Sequence, residues 1–341
     1  MSDLLVFVDP KRGRGGGQVV LEGLMRLCAG RIDTALVMPP EGRSSIAVPS
    51  NVQEFSSLTD CIRTVRGRRV RLVANANAVF PRVALAARKL RGKAASVESV
   101  AIVHNYPSSR AREVMTKAAL AQFDTVIVVE PGLLRLRADA YAPPWLSVPA
   151  DFNVVREPPA ARTGVVKSFG RPDPSKGLHL LPPIFEQLER RGWKAQVALG
   201  HALDGRDRYR ERLRGRLAPW LVEGRRTIDW VEPGDVFVIP SISGEAACLT
   251  AQEALARGAF VVASRIGLMP YLLPEGGAMA TFKIGGITDA VDRVDEFRRM
   301  TSERFTAAGA VAVETISRRA GVWYDVVADR LAAVDGERCG A

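Results

Sequence analysis

Four residues in the second half of the sequence have the types and spacing to grip a phosphorylated, hydroxyl-rich ligand: Arg171, Lys176, Glu245 and Glu253. In SFGRPDPSKG, Ser168 to Gly177, an apolar run leads into a loop with Arg171 and Lys176, and a helical pattern then opens from Gly177 to Arg190. Arginine offers a fork of donors and lysine a point charge, a pair suited to a diphosphate. The same segment also reads as a plain helix cap, with Asp173 or Ser175 at the N-cap and incidental surface cations. In Val236 to Ser264, an apolar strand ends at Pro240, a polar loop follows, and a helix is expected from Glu245 to Arg257. A helix N-terminus there presents free N–H groups and a positive dipole end, as a phosphate needs. Glu245 and Glu253 lie eight positions apart, about two helical turns, so on one helix they share a face. Two such carboxylates suit the hydroxyls of a sugar and a ribose. The plainer alternative is an amphipathic helix with Glu245 complementing its dipole.

These loops need strands to hold them, and the pattern supplies strands. Leu4–Val8 is an apolar run followed by Gly13, Gly15, Gly16 and Gly17, then a helical pattern from Val19 to Leu27. Strand, glycine loop and helix is the opening of a nucleotide-binding α/β unit. Strands are expected at Thr34–Met38, Val70–Ala74, Val100–His104 and Thr125–Val129, with helices at Val83–Leu90 and Arg110–Gln122. Five prolines between Tyr141 and Thr163 break the alternation and place a domain linker there. It restarts with strands at Val165–Phe169, Ala195–Leu199, Val236–Pro240 and Phe260–Ala263, a helix at Arg206–Leu217, and a helical tail from Ser302 to Leu331. Strands alternating with helices imply parallel sheets covered on both faces, an α/β class.

Composition fits two soluble domains. The 341 residues are 47% apolar and 25% charged, and no apolar run is long enough to span a bilayer. The N-terminus does not have the form of a signal peptide. Cys28, Cys61, Cys248 and Cys339 are scattered, which argues against a zinc site or a disulfide framework and fits a reducing, cytoplasmic location. His104, His179 and His201 are too dispersed for a metal centre; His179 and His201 read as surface or packing residues, and His104 as a strand-end residue. The net charge is +11, and between Cys61 and Val97 ten cations stand with no acidic residue. Such a stretch is either solvated surface or an attraction to phosphates, an anionic membrane or a nucleic acid. The Arg206–Arg216 cluster, with interleaved acids, reads as a solvated helix face.

Taken together and in order, the motifs resemble the family 4 retaining glycosyltransferases of the GT-B fold, with two Rossmann-like parallel-sheet domains facing each other across a cleft. The family's GR…KG loop is similar to Gly170-Arg171…Lys176-Gly177, and its E-x7-E motif to Glu245…Glu253-Ala254-Leu255-Ala256. ARGAFVVASRIGLMPYLL, Ala256 to Leu273, resembles its "AAGVPVVASRVGGIPEVI". Gly15, Gly16 and Gly17 resemble its first glycine loop, and AIVHNYP its "VTVHN" strand end, so the resemblance covers most of the chain.

The resemblance implies an acceptor-binding domain at 1–160, with a C-terminal helix at about 322–341 packing back on it, and a donor domain at 161–321. It implies sugar transfer from a UDP- or GDP-linked donor to an acceptor hydroxyl. Arg171 and Lys176 would hold the diphosphate, beside Gly170. Glu245 would contact the transferred sugar, Glu253 the ribose, and the amides of Leu249 and Thr250 the phosphates. Gly16 would admit donor and acceptor closely, His104 would lie near the reacting sugar, and Gly15 and Asn105 would stand on the acceptor side. No metal or other cofactor is implied. A small-molecule or lipid-linked acceptor is favoured over a nucleic acid, because no aromatic-rich strand face accompanies the charge. The 61–97 stretch would serve peripheral contact with the inner membrane face. One departure is Ala246-Ala247-Cys248, where the family has GFG; it leaves the sugar open and keeps alive a catalytically silent binding subunit. A related epimerase or phosphorylase is the remaining alternative.

Overall fold

The computed structural model describes residues 3–10, 16–39, 46–104, 109–129, 133, 136–141, 161–200, 207–224, 230–243, 245, 248–273 and 277–332. Gly15, Asn105, His201, Ala246, Ala247, Cys339 and most of the proline-rich segment expected to be the linker (142–160) lie outside these. The chain divides into one unit of Met1–Ser147 with Val322–Ala341 and a second of Val148–Gly321.

The first unit is built on β1 (Asp3–Val8), β2 (Asp33–Val37), β3 (Gln53–Phe55), β4 (Arg69–Ala74), β5 (Ser96–Val103), β6 (Thr125–Val128) and β7 (Ala140–Tyr141). All pairs are parallel, in the order β3-β2-β1-β4-β5-β6-β7. A strand inside such a sheet is covered on both faces, so its sequence is a continuous apolar run; Leu4 to Val8 are buried accordingly. Helices α1 (Gly16–Cys28), α2 (Leu58–Thr64), α3 (Phe80–Leu90) and α4 (Arg110–Leu120) connect the strands. Ser109 caps the last of these, its Oγ accepting from the Arg112 amide at 3.3 Å. The order reverses between β1 and β4, the position beyond whose strand ends sheets of this class receive ligands.

The second unit repeats the plan with β8 (Val165–Gly170), β9 (Lys194–Leu199), β10 (Val236–Ile239), β11 (Phe260–Ser264) and β12 (Met279–Phe282), again parallel, in the order β12-β11-β10-β8-β9. Here the reversal lies between β8 and β10. Its helices are α5 (Leu181–Arg190), α6 (Asp207–Leu217), α7 (Leu249–Ala256), α8 (Met269–Leu272) and α9 (Ile287–Arg299). Phe260 packs between Phe297 and Phe305 in its core. Under the sheet, Lys167 and Asp235 form a buried ion pair at 2.6 Å, with the ammonium also donating to the Trp230 carbonyl at 2.8 Å. The last helix, α10 (Ser302–Ala332), ends on the first unit, where Asp329 pairs with Arg31 and the Arg330 and Leu331 carbonyls accept from Arg71.

Two expected helices are corrected. The segment after Lys176 begins with two 3-10 turns, Pro174–Lys176 and Leu178–Leu180, and the α-helix starts only at Leu181. Gly177 separates the turns at φ +64°, a left-handed conformation that interrupts the helix. The helix expected from Glu245 starts instead at Leu249, because Cys248 adopts φ 43°. Glu245 and Glu253 therefore do not share a helix. The structure adds elements that apolar periodicity does not mark, among them the three-residue β3 and, beyond Leu273, β12 and α9.

Candidate functional site

The two loops at the reversal of the second sheet come together. Gly170 ends β8 and Ile239 ends β10, so the Arg171–Gly177 and Ser241–Cys248 segments leave neighbouring strand ends. The amides of Ile242 and Ser243 both donate to the Ser175 carbonyl, at 2.8 and 3.2 Å. Asp173 fixes the first loop by accepting from the Ser175 amide at 2.9 Å and its hydroxyl at 2.6 Å. A Cβ on Gly177 would sit 1.8 Å from the Pro240 carbonyl oxygen, so only glycine allows the loops this close.

At the junction, the Lys176 ammonium bonds the Glu245 carboxylate at 2.5 Å. The Ser241 hydroxyl donates to the same oxygen at 2.6 Å. The Glu245 side chain is 5% exposed, so removal of either donor falls on a carboxylate with little access to water. The backbone of Glu245 is held as tightly, since Gly267, at φ +58°, presses on it where a Cβ would stand 1.5 Å from its carbonyl oxygen. Arg171, half-buried on the same loop as Lys176, has no hydrogen bond or ion pair from its guanidinium among the described residues. Lys176 and Glu245 are thus joined, while Arg171, on the same loop as Lys176, makes no side-chain hydrogen bond or ion pair among the described residues.

Helix α7 opens next to this cluster. Its first amides to find a carbonyl within the helix are Ala251 and Gln252, both to Cys248, which leaves the Leu249 and Thr250 amides at the open end. Glu253 is half-buried one turn further on. Cys248 is the single non-glycine residue at positive φ among the described residues, and it stands where the resembling family carries glycine. Strain of this kind collects at ligand sites. Burial pushes the Cys248 thiol well above its usual pKa, and the neighbouring Glu245 carboxylate, to which the thiol donates, adds to that rise.

The first unit holds a second cluster at its own reversal. His104 directly follows β5 and is buried, its Nε2 2.9 Å from Asn75 Oδ1. Asn75 Nδ2 donates to Asp9 at 2.8 Å and to the Gly17 carbonyl at 3.1 Å, and Gln18 also donates to Asp9. Gly16 is the first residue of α1. The motifs of the sequence do not single out Asp9, Gln18, Asn75 or Ser241. The signal that marks Asp9 and Asn75 is a polar residue just after the end of an apolar strand. His179 is a packing residue, bonded to Tyr209 at 3.3 Å. Among the described residues, no group of three or more His, Cys, Asp or Glu is placed to hold a metal ion.

No protein-family model matches the sequence, and no curated protein matches it. Solved structures do match it. HepE from Anabaena, crystallised with UDP-glucose, aligns with a TM-score of 0.75 at 16% identity, covering 97% of this chain and 100% of that one. Sucrose-phosphate synthase from Thermosynechococcus elongatus aligns with a TM-score of 0.69 at 15% identity, covering 97% and 98%. A glycosyltransferase from Rickettsia africae gives 0.70 at 12% identity, covering 98% and 100%. The fold is GT-B. At these identities the likeness carries the architecture of the GT-B chain, and its chemistry must be argued from its own residues.

The ten cations between Cys61 and Val97 have varied surroundings. Five of them are tied to acidic groups from elsewhere in the chain: Arg63 to Asp60, Arg68 to Asp33, Arg69 to Asp3, Arg71 to Glu98 and Arg91 to Asp124. Arg82, Arg88 and Lys89 stand on the exposed face of α3 with Leu85, which is 52% exposed. The neighbouring α4 exposes Val114, Met115, Arg110 and Arg112.

Proposed function

We propose that this chain is a retaining glycosyltransferase that moves a sugar from a UDP- or GDP-linked donor to an acceptor hydroxyl. The observation that carries the reading is the junction of Lys176 and Glu245 beside the open N-terminus of α7, with Arg171 on the same loop as Lys176. Helix amides and two cations receive a diphosphate. A buried carboxylate, already oriented by Lys176 and Ser241, accepts from sugar hydroxyls, and Glu253 from the ribose. The crystallised complex of HepE with UDP-glucose supports a nucleotide-sugar ligand for this fold.

In the transfer, the bond from the anomeric carbon to the diphosphate oxygen breaks, and charge grows on that oxygen. Arg171 and Lys176 stabilise it where it develops. The acceptor oxygen bonds the same carbon from the same face, and its proton passes to the departing phosphate oxygen. Neither a protein nucleophile nor a metal enters the scheme.

The test is a thermal-shift screen with UDP, GDP and dTDP and their sugars, followed by transfer assays on whatever binds. A nucleotide at a hundred times its Kd should stabilise the protein by about 2.7 kcal/mol. Binding without hydrolysis or transfer would leave a silent binding subunit, and binding of no nucleotide would sink the reading.

The exposed apolar side chains among the cations of α3 and α4 favour a lipid-linked acceptor met at an anionic bilayer surface. Each cation at such a surface contributes about 1 kcal/mol. The protein should float with vesicles of equal phosphatidylcholine and phosphatidylglycerol, and not with phosphatidylcholine alone. Arg88→Glu with Lys89→Glu should abolish flotation. Undiminished flotation of that double variant would remove this surface from consideration, and failure of the wild-type protein to float would return the acceptor to small soluble molecules.

A further inference from the structure

Three strands of the first sheet end in polar residues that bond to one another: Asp9 after β1, Asn75 after β4 and His104 after β5. All three are buried. Their hydrogen bonds have a fixed direction. Asn75 Nδ2 lies 2.8 Å from an oxygen of Asp9 and 3.1 Å from the Gly17 carbonyl oxygen. A carboxylate and a carbonyl only accept, so the nitrogen of the amide must occupy that end. Flipping Asn75 would turn its oxygen toward two other oxygens. The oxygen that remains, Oδ1, stands 2.9 Å from His104 Nε2, and only an N–H can bond to it. Gln18 Nε2 completes the arrangement by donating to both carboxylate oxygens of Asp9, at 3.1 and 3.3 Å.

We infer that Asp9 and Asn75 are positioning residues that hold His104 in the tautomer protonated at Nε2, so that any further proton is taken up at Nδ1. Asp9 acts on the imidazole through the amide that it locks. The relay starts at the point where the strand order reverses, which is where this class of sheet receives ligands. The inference rests on the proposed transfer for the expected change in kcat; the tautomer itself does not depend on that reading.

The test uses the full chain with histidine nitrogens labelled, and the His104 signals assigned with His104→Gln. Long-range nitrogen–proton correlation spectra should show His104 protonated at Nε2, with no substrate present. In Asp9→Ala the spectra should show a mixture of tautomers, and kcat should fall by roughly tenfold or more while the donor KM stays within about twofold. Asp9→Asn, which keeps an acceptor for Asn75, should retain the tautomer and most of kcat. Should Asp9→Ala lose its fold, Asn75→Leu is read in the same way. A wild-type His104 protonated at Nδ1 overturns the inference, as does a fall in kcat with the tautomer unchanged. An Nε2-protonated His104 in a protein that transfers no sugar would leave the relay standing and overturn the proposed function.

Discussion

Replacing Arg171 with Ala should lower turnover by about 10²–10³-fold, the loss expected when one preorganised donor to a developing oxyanion is removed. Stability should not change. The guanidinium has no hydrogen bond or ion pair among the described residues, so none of those groups is left without a partner, and substitutions of this kind stay within about 0.5 kcal/mol. Lys176→Ala should depress turnover as deeply, for a mixed reason. It removes a cation from the diphosphate, and it also deprives the buried Glu245 carboxylate of its ion-pair partner, leaving the neutral Ser241 hydroxyl to donate to that oxygen. A buried acceptor that loses its charged donor costs about 1–3 kcal/mol, so this variant should melt lower as well. Steady-state kinetics and melting curves on the two variants separate the contributions. Arg171→Lys should recover part of the loss only, because an ammonium cannot reproduce the two-pronged geometry of a guanidinium on a diphosphate. Near-full turnover in Arg171→Ala would remove this residue from the transfer step.

Gly267→Ala should be strongly damaging. Its backbone sits at φ +58°, where a residue with a Cβ is strained by roughly 1–2 kcal/mol. The added carbon would also lie 1.5 Å from the Glu245 carbonyl oxygen, and backbone atoms cannot yield as a side-chain tip can. Glu245 would have to move, and with it the carboxylate that Lys176 and Ser241 orient. The expected result is a stability loss above about 3 kcal/mol by urea unfolding, with nucleotide-sugar binding weakened in whatever fraction remains folded. Gly177→Ala should behave alike, since its Cβ would meet the Pro240 carbonyl oxygen at 1.8 Å. Gly285→Ala is the control. It has φ +75° and nothing within 4 Å of the added carbon, so it incurs backbone strain alone. Equal losses at Gly267 and Gly285 would show that the close approach to Glu245 contributes nothing.

Parts of this arrangement are legible in the amino-acid sequence. Val236–Ile239 and Phe260–Ser264 are uninterrupted apolar runs because parallel strands are covered on both faces, and their pattern marks both strands to within a residue. Arg171 and Lys176 are legible as cations between a strand end and a helical pattern. The start of α7 is not, because the residue that delays it is a cysteine at φ 43°, and nothing in local spacing marks a cysteine as left-handed. That one backbone angle takes Glu245 off the helix that its spacing from Glu253 suggests and leaves it in the loop, where it meets Lys176.

The sequence by itself determined that two parallel α/β units would form, because apolar runs alternating with amphipathic segments can be buried in few other ways. It also determined which loops carry cations and carboxylates. Only the tertiary structure decided which of those loops meet. The order β12-β11-β10-β8-β9 places the ends of β8 and β10 side by side, although the chain passes through β9 between them. The same holds for Asp9, Asn75 and His104, drawn from the ends of three strands, and for the cations of 61–97, half of which are matched by acids beyond that run of cations. Local spacing fixes the geometry within an element over a few residues. Which strand ends become neighbours depends on the crossovers between them and on the burial of both sheet faces, and those are properties of the whole folded unit.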